Sequence, residues 1–294
     1  MTPAETAAPA CCAFSAYAEL TKPRITWLIL MSTAIGFYFG SGPGWSLITL
    51  LHTLLGTGLI ASGTAALNQW YESDADARMN RTRNRPIPSG RLTRNRALVF
   101  AILLSIAGFA ELALAVNPLT GWLGLFTLFT YLFVYTPLKQ RSPHSTTVGA
   151  IPGAMPPLIG FAAAAGHLTA GAWALYAILF VWQFPHFYAI AWMYREDYGR
   201  AGIRMLPVVE PEGESTARRI LFFLVLLIPV SLVPSLLGMT GSLYLAGAAA
   251  MGLYFLASGF QVMKDRSLLR ARGVLLASVI YLPVLYGLML IDRS

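Results

Sequence analysis

Residues 68–91 read NQWYESDADARMNRTRNRPIPSGR, three carboxylates followed by five arginines in a chain that is otherwise apolar. Asn68, Glu72 and Asp76 recur every four residues, so on a helix they share one face, where Glu72 and Asp76 can bind one hard cation through oxygen ligands. Mg2+ suits such a face because it dehydrates reluctantly and is usually held by one or two carboxylates together with substrate phosphates. Arg78, Arg81, Arg83 and Arg85 follow at once and offer donors to phosphate oxygens, so the stretch reads as a metal-diphosphate site. Arginines alone would be read as a loop that fixes membrane topology. Such a loop needs no carboxylates, since Asp and Glu contribute little to orientation. Asp74 lies about 160° round the helix from both Glu72 and Asp76 and joins the metal only if the helix loosens there.

The surrounding chain decides the class. Of its 294 residues 56% are hydrophobic and 12% charged, whereas a soluble domain is about 25% charged. A membrane protein is predicted, in contact with the lipid bilayer over most of its length. The net charge of +8 does not indicate nucleic acid, because the basic residues sit in short loops between apolar runs. Cys11 and Cys12 are the only cysteines and are adjacent, which excludes a disulfide framework and zinc spacing. The first sixteen residues carry no Lys or Arg, unlike a secretory n-region or an Arg-rich transit peptide, and the expectation is a bacterial inner-membrane protein inserted through its first span.

Nine apolar runs follow a polar tail at residues 1–20, and residues 21–294 are read as a single domain. The runs cover residues 25–39, 45–67, 97–116, 119–134, 148–165, 170–193, 220–237, 243–263 and 274–291, some short of the ~20 residues a span needs. With nine spans, the amino terminus and the loops after spans two, four, six and eight share one side. Every Lys and Arg except Arg293 falls there, so these loops are predicted to be cytoplasmic and the carboxy terminus periplasmic. Gly56, Gly58 and Gly63 thin span two for close packing. The predicted fold is all-α: nine transmembrane helices in a bundle around a central cavity, with prolines 152, 156, 157, 185, 229 and 234 interrupting spans five to seven.

A second acidic cluster, Glu196 and Asp197, follows span six, four helices after the first follows span two, which suggests an internal duplication. Two charged clusters at one surface of a bundle with an aromatic interior would hold an apolar tail in the bilayer and a diphosphate at the cytoplasmic mouth. The chemistry such a site favours is ionisation: guanidinium groups and Mg2+ stabilise the leaving diphosphate, and aromatic faces stabilise the allylic cation.

Asn68-x3-Glu72-x3-Asp76 resembles the first motif, Asn-x3-Asp-x3-Asp, of the UbiA family of intramembrane prenyltransferases. Glu72-x-Asp74-x-Asp76 with Met79-x-Arg81-Thr82-x2-Arg85-Pro86 is similar to the branch of that family that farnesylates protoheme. Thr21-Lys-Pro-Arg24, Tyr135-Thr-Pro-Leu-Lys139, Pro156-Pro157, Trp182-Gln-x-Pro-His186-Phe and Met205-Leu-Pro207 agree with that branch, so the resemblance runs over residues 21–208. It implies transfer of farnesyl from farnesyl diphosphate to a vinyl group of protoheme IX, with water completing heme O. It implies Mg2+ on Asn68, Glu72 and Asp76, diphosphate on Arg81, Arg85 and Lys139, and Tyr135 bonding the diphosphate or facing the cation. Asp197 would complete the catalytic site from the other half, and His186 would orient the heme. Heme A synthase or a terminal oxidase assembly would then be the downstream partner. The chain departs from the wider family in its second motif, where Met193 and Ala201 stand four residues either side of Asp197 in place of a second aspartate.

Two other readings are open. The acceptor could be a quinone precursor or a chlorophyllide, with the same donor chemistry. A secondary transporter would account for the repeat and the broken helices, but its polar groups belong at mid-membrane, and here they gather at one surface.

Overall fold

The computed structural model describes residues 10–42 and 44–294, and side chains from residue 14 onward. The described residues are predominantly helical, and the longest connections are residues 77–93 and 194–213. The first helix, α1 (Ala10–Leu20), lies in the segment read as a polar tail; Ala16 and Leu20 are buried, and Gln69 Nε2 donates to Leu20 O over 2.9 Å. Then come α2 (Pro23–Gly40), α3 (Leu47–Asp76), α4 (Arg94–Val116), α5 (Pro118–Leu138), α6 (Ser145–Ala165), α7 (Ala170–Met193), α8 (Glu214–Leu236), α9 (Ser242–Lys264) and α10 (Leu268–Ile291). The eight from α3 to α10 are long and apolar enough to cross a membrane. Helix α2, with 18 residues opening on Pro23-Arg24, is not among these eight, though it packs along α6 within the bundle. The chain is a multi-pass membrane protein.

Caps fix where these helices begin. Ser46, Thr93, Asn117 and Ser267 each accept, through the side-chain oxygen, the backbone N–H three residues on, satisfying one of the donors that a helix start leaves free. Two helices carry a wide turn with π geometry: α4 at Glu111–Val116 and α5 at Thr130–Tyr135. Each stretch inserts a residue relative to α-helical phase.

The buried residues fall into two apolar cores. One joins α1, α3, α4 and α5 with Ile159 of α6; the other joins α6 to α10 with Ile35 of α2. Helix α2 lies against α6 with backbone touching backbone. A Cβ on Gly160 would stand 1.9 Å from Thr33 O, and one on Gly36 would stand 2.0 Å from Pro157 O, so only glycine lets these helices meet so closely. In α3, Gly56 and Gly63 admit Leu112 and Ser105 of α4, whereas Gly58 makes only ordinary contact with Leu30. Prolines break α6 between Gly153 and Pro156. Gln183 of α7 lies against Gly153 just before that break and donates to Ala150 O over 3.2 Å, a buried polar contact between α6 and α7.

A third small cluster sits beyond the spans. Ala75 and Met79, from the end of α3 and the loop after it, pack with Ala191 of α7 and with Ala201, Ile203 and Met205 of the loop after α7. This brings the two acidic stretches of the sequence together.

Candidate active site

Helix α3 stays regular for 30 residues, so Asn68, Glu72 and Asp76 do lie on one face. All three are buried. Each acceptor meets a cation from a different element: Lys22 Nζ lies 3.2 Å from Asn68 Oδ1, Lys139 Nζ lies 2.9 Å from Glu72 Oε1, and Arg85 NH1 lies 2.7 Å from Asp76 Oδ2. Asn68 also donates to Thr136 Oγ1 over 3.3 Å. Asp76 Oδ1 is buried and has no hydrogen-bond partner among the described residues. A buried carboxylate oxygen without a partner is costly, and a bound cation would offset that cost.

The aromatic wall lies beside this face. Lys139 Nζ sits 4.5 Å from the Tyr135 ring centroid, Tyr131 packs edge-on to Tyr135 at 5.0 Å, and Gly149 makes room for the ring. Burial alone would lower the Lys139 ammonium, but the Glu72 carboxylate beside it holds it well above its ordinary value. Lys22 shows the opposite balance. Burial, together with repulsion from Arg85 and Lys139, pulls it down to about 7.

From sequence, Lys22 enters only through its charge and through the stretch Thr21-Lys-Pro-Arg24, with no role at the site. Its backbone has φ 49°, the one left-handed residue other than glycine among those described, a conformation that costs an L-residue roughly 1–2 kcal/mol. That turn, just before the helix-opening Pro23, aims the ammonium at Asn68. A lysine directly before the first proline of an apolar run was the available signal.

The remaining candidates separate. Arg85, Lys139 and Tyr135 join the α3 face, while Arg81 turns onto the other loop. Its guanidinium lies 4.7 Å from the Tyr194 ring and donates to Tyr198 OH over 3.1 Å. Asp197 is buried and accepts from the Arg81 backbone N–H over 3.1 Å, and it pairs with Arg200. Asp74 points out to solvent and pairs with Arg94 at 3.1 Å, on the outer side of the helix as its angle requires.

His186 packs between α7 and α10. It stacks on Trp182 with centroids 4.8 Å apart, and its Nδ1 is 2.8 Å from Ser278 Oγ. The Ser278 hydroxyl has one proton, which it donates to Leu275 O over 2.6 Å. Donation from His186 Nδ1 to Ser278 satisfies both bonds and leaves the lone pair on Nε2. Glu111 of α4 pairs with His52 of α3 at 2.6 Å. His52 lies 20 residues before Glu72 on α3, roughly 30 Å along the axis, so this pair plays no part at the site.

A sequence model of the UbiA prenyltransferase family matches residues 29–280. The chain belongs to the UbiA prenyltransferase family. UbiA relatives include a protein of Solibacter usitatus named protoheme IX farnesyltransferase, 65% identical over 94% of this chain and 98% of its own. One of the same name in Koribacter versatilis is 47% identical over 95% and 93%. The fold matches a UbiA homolog from Archaeoglobus fulgidus bound to DMAPP and Mg2+, with TM-score 0.67 and 17% identity over 94% of this chain and 99% of that one. A structure of digeranylgeranylglyceryl phosphate synthase matches with TM-score 0.79 and 18% identity over 95% and 98%. These structures are too distant to carry residue roles to this UbiA chain, but they agree with its all-helical membrane fold.

Proposed function

We propose that this UbiA prenyltransferase transfers farnesyl from farnesyl diphosphate to a vinyl group of protoheme IX, with water addition, to give heme O and diphosphate. The acceptor rests on one observation, the 65% identity over nearly the whole chain to a protein named for that reaction. The donor half rests on geometry: three buried acceptors, each met by a cation, and one carboxylate oxygen left without a partner.

Asn68, Glu72 and Asp76 would hold Mg2+. Two carboxylates and an amide fit that ion, whose other ligands are usually water and substrate phosphate. When bound, Mg2+ neutralises charge on the diphosphate as it leaves. Arg85, Lys139 and Lys22 carry the rest of that charge. As the farnesyl C1–O bond breaks, the electron pair goes to the diphosphate, and the Tyr135 and Tyr131 rings face the allylic cation. The vinyl group of the porphyrin attacks C1. Water then adds to the resulting side-chain cation and loses a proton, leaving a hydroxyethylfarnesyl group. No strong general base is needed, since no acceptor proton is removed before attack.

The test is heme extraction and chromatography from membranes of an expressing strain. Heme O should appear; a prenylated phenol without heme O would overturn the acceptor. His186 belongs to the acceptor half. With Nδ1 held by Ser278, its Nε2 lone pair is free to ligate heme iron, the arrangement usual for a ligating histidine. His186→Ala is expected to lower heme O formation about tenfold while farnesyl diphosphate binding stays within about twofold. Unchanged heme O would reduce His186 to packing.

Lys22 predicts a pH dependence. Its ammonium in the free enzyme is half deprotonated at about 7, and the charged form is the one that attracts diphosphate. The kcat/KM for farnesyl diphosphate should be level below that pH and fall as pH rises through it, up to tenfold per pH unit. Lys22→Arg, which keeps its charge, should flatten the profile. A profile unaltered by that exchange would assign the titration elsewhere.

We place the amino terminus and the loops at residues 77–93 and 194–213 in the cytoplasm, the carboxy terminus outside, and the protein in a bacterial inner membrane. The Lys and Arg distribution supports this orientation. In a chain with Cys11 and Cys12 replaced by serine, Ser89→Cys and Ser242→Cys, both exposed, should label from opposite sides. Labelling of both from one side would reverse the topology.

A further inference from the structure

The two acidic stretches meet, but they do not offer the same chemistry. At Asp76 an oxygen is left over, whereas at Asp197 both are engaged. Asp197 Oδ2 accepts from the backbone N–H of Arg81, and Oδ1 pairs with Arg200. No second acid stands four residues away, since those positions are Met193 and Ala201, and Glu196 is exposed. Among the described residues no His, Cys, Asp or Glu makes a third with Glu72 and Asp76 in a set that could hold one metal ion. A cation at Asp197 would have to displace a guanidinium and strand a peptide N–H, with one carboxylate in return.

What Asp197 does hold is the loop after α3. Its contact with Arg81 N is one of four tethers between the two loops. Arg81 lies against Tyr194 and Tyr198, Arg78 NH2 donates to Ala201 O over 3.0 Å, and Met79 is buried against Ala201 and Ile203. Four residues beyond Arg81 on the tethered loop, Arg85 reaches back to Asp76, and Thr82 between them donates to Asp76 O over 3.0 Å. Fixing the Arg81 peptide therefore fixes where Arg85 enters the diphosphate site.

We infer that Asp197 is a positioning residue that clips the Arg81–Arg85 loop in place, and that the site takes one divalent cation, on the α3 face alone. The inference rests on the proposed diphosphate chemistry. It departs from a symmetric arrangement in which each half supplies a metal. A carboxylate spent on a peptide N–H and an arginine organises a phosphate-binding arginine at a distance, as outer-shell groups generally do for the ligands they support.

The experiment uses the full-length protein in detergent, saturated with the unreactive analogue farnesyl thiodiphosphate and titrated with Mn2+, with bound metal counted by electron paramagnetic resonance. Wild type should bind one Mn2+ per chain. Asp197→Ala and Asp197→Asn should also bind one, with affinity within about threefold of wild type, and Asp76→Asn should bind none. The two Asp197 variants should differ in turnover assays. Asp197→Ala should raise KM for farnesyl diphosphate about tenfold with kcat within about threefold, while Asp197→Asn, whose amide oxygen still accepts from Arg81 N–H, should recover most of that loss. Two Mn2+ in wild type, or loss of Mn2+ in both Asp197 variants, would overturn the inference and leave the proposed function standing. No Mn2+ in wild type would overturn both.

Discussion

Asp76→Asn is expected to lower kcat/KM by roughly a hundredfold to a thousandfold, the scale of losing one preorganised electrostatic group at a reacting phosphate. The protein should still insert and purify in ordinary amounts. The side chain is fully buried at the end of α3, with Arg85 on one oxygen and no partner for the other among the described residues. Asparagine keeps the shape and can still accept from Arg85, so the loop keeps its course. It loses the charge that would attract a divalent cation and that balances Lys22, Lys139 and Arg85 in a small volume. Turnover at the wild-type level, with unchanged dependence on Mg2+, would remove Asp76 from the metal site.

Gly160→Val should have the largest effect on stability. Its Cβ would stand 1.9 Å from Thr33 O, and the obstacle is the backbone of a helix, which has no rotamer to change. Overpacking ordinary cores costs about 1–3 kcal/mol. With Gly36 pressed reciprocally on Pro157 O, the two helices can relieve the clash only by separating along their contact. A melting temperature in detergent at least about 5 °C below wild type is expected. Gly58→Ala is the control, because its Cβ would meet only Leu30, at 3.7 Å. Equal melting of Gly160→Val and wild type would mean that the α2–α6 contact is looser than described.

Much of the site was legible because it is local. Acids four residues apart on a regular helix must share a face, and Asp74 two residues from each must lie outside it, as its pair with Arg94 bears out. Tyr135 and Lys139 were legible only through the resemblance of Tyr135-Thr-Pro-Leu-Lys139 to the family, not through spacing. What was not legible depends on contacts between distant parts of the chain. Nothing near Arg81 indicates that its guanidinium turns to Tyr198 rather than to the α3 face, since the two are 117 residues apart. Nor does a run of alanines and cysteines before Leu20 announce a helix that Gln69 will anchor. The meeting of His52 and Glu111 likewise depends on how α3 and α4 pair. The spans themselves were readable from hydropathy, except at their ends: α3 continues to Asp76 and α8 starts at Glu214, where charged residues hide the helix from any apolar criterion.

The wide turn at Thr130–Tyr135 bears on how such a site tolerates change. A residue added to an α-helix turns everything beyond it by about 100°, and a π turn absorbs the addition locally. In α5 that turn ends at Tyr135, immediately before the segment that delivers Thr136 and Lys139 to α3. It sets the phase of the last turn independently of the lipid-facing part of the helix. The π turn thus stands between the membrane-facing part of α5 and the ammonium that pairs with Glu72, where a residue gained or lost upstream can be taken up before it rotates Lys139 away from the site.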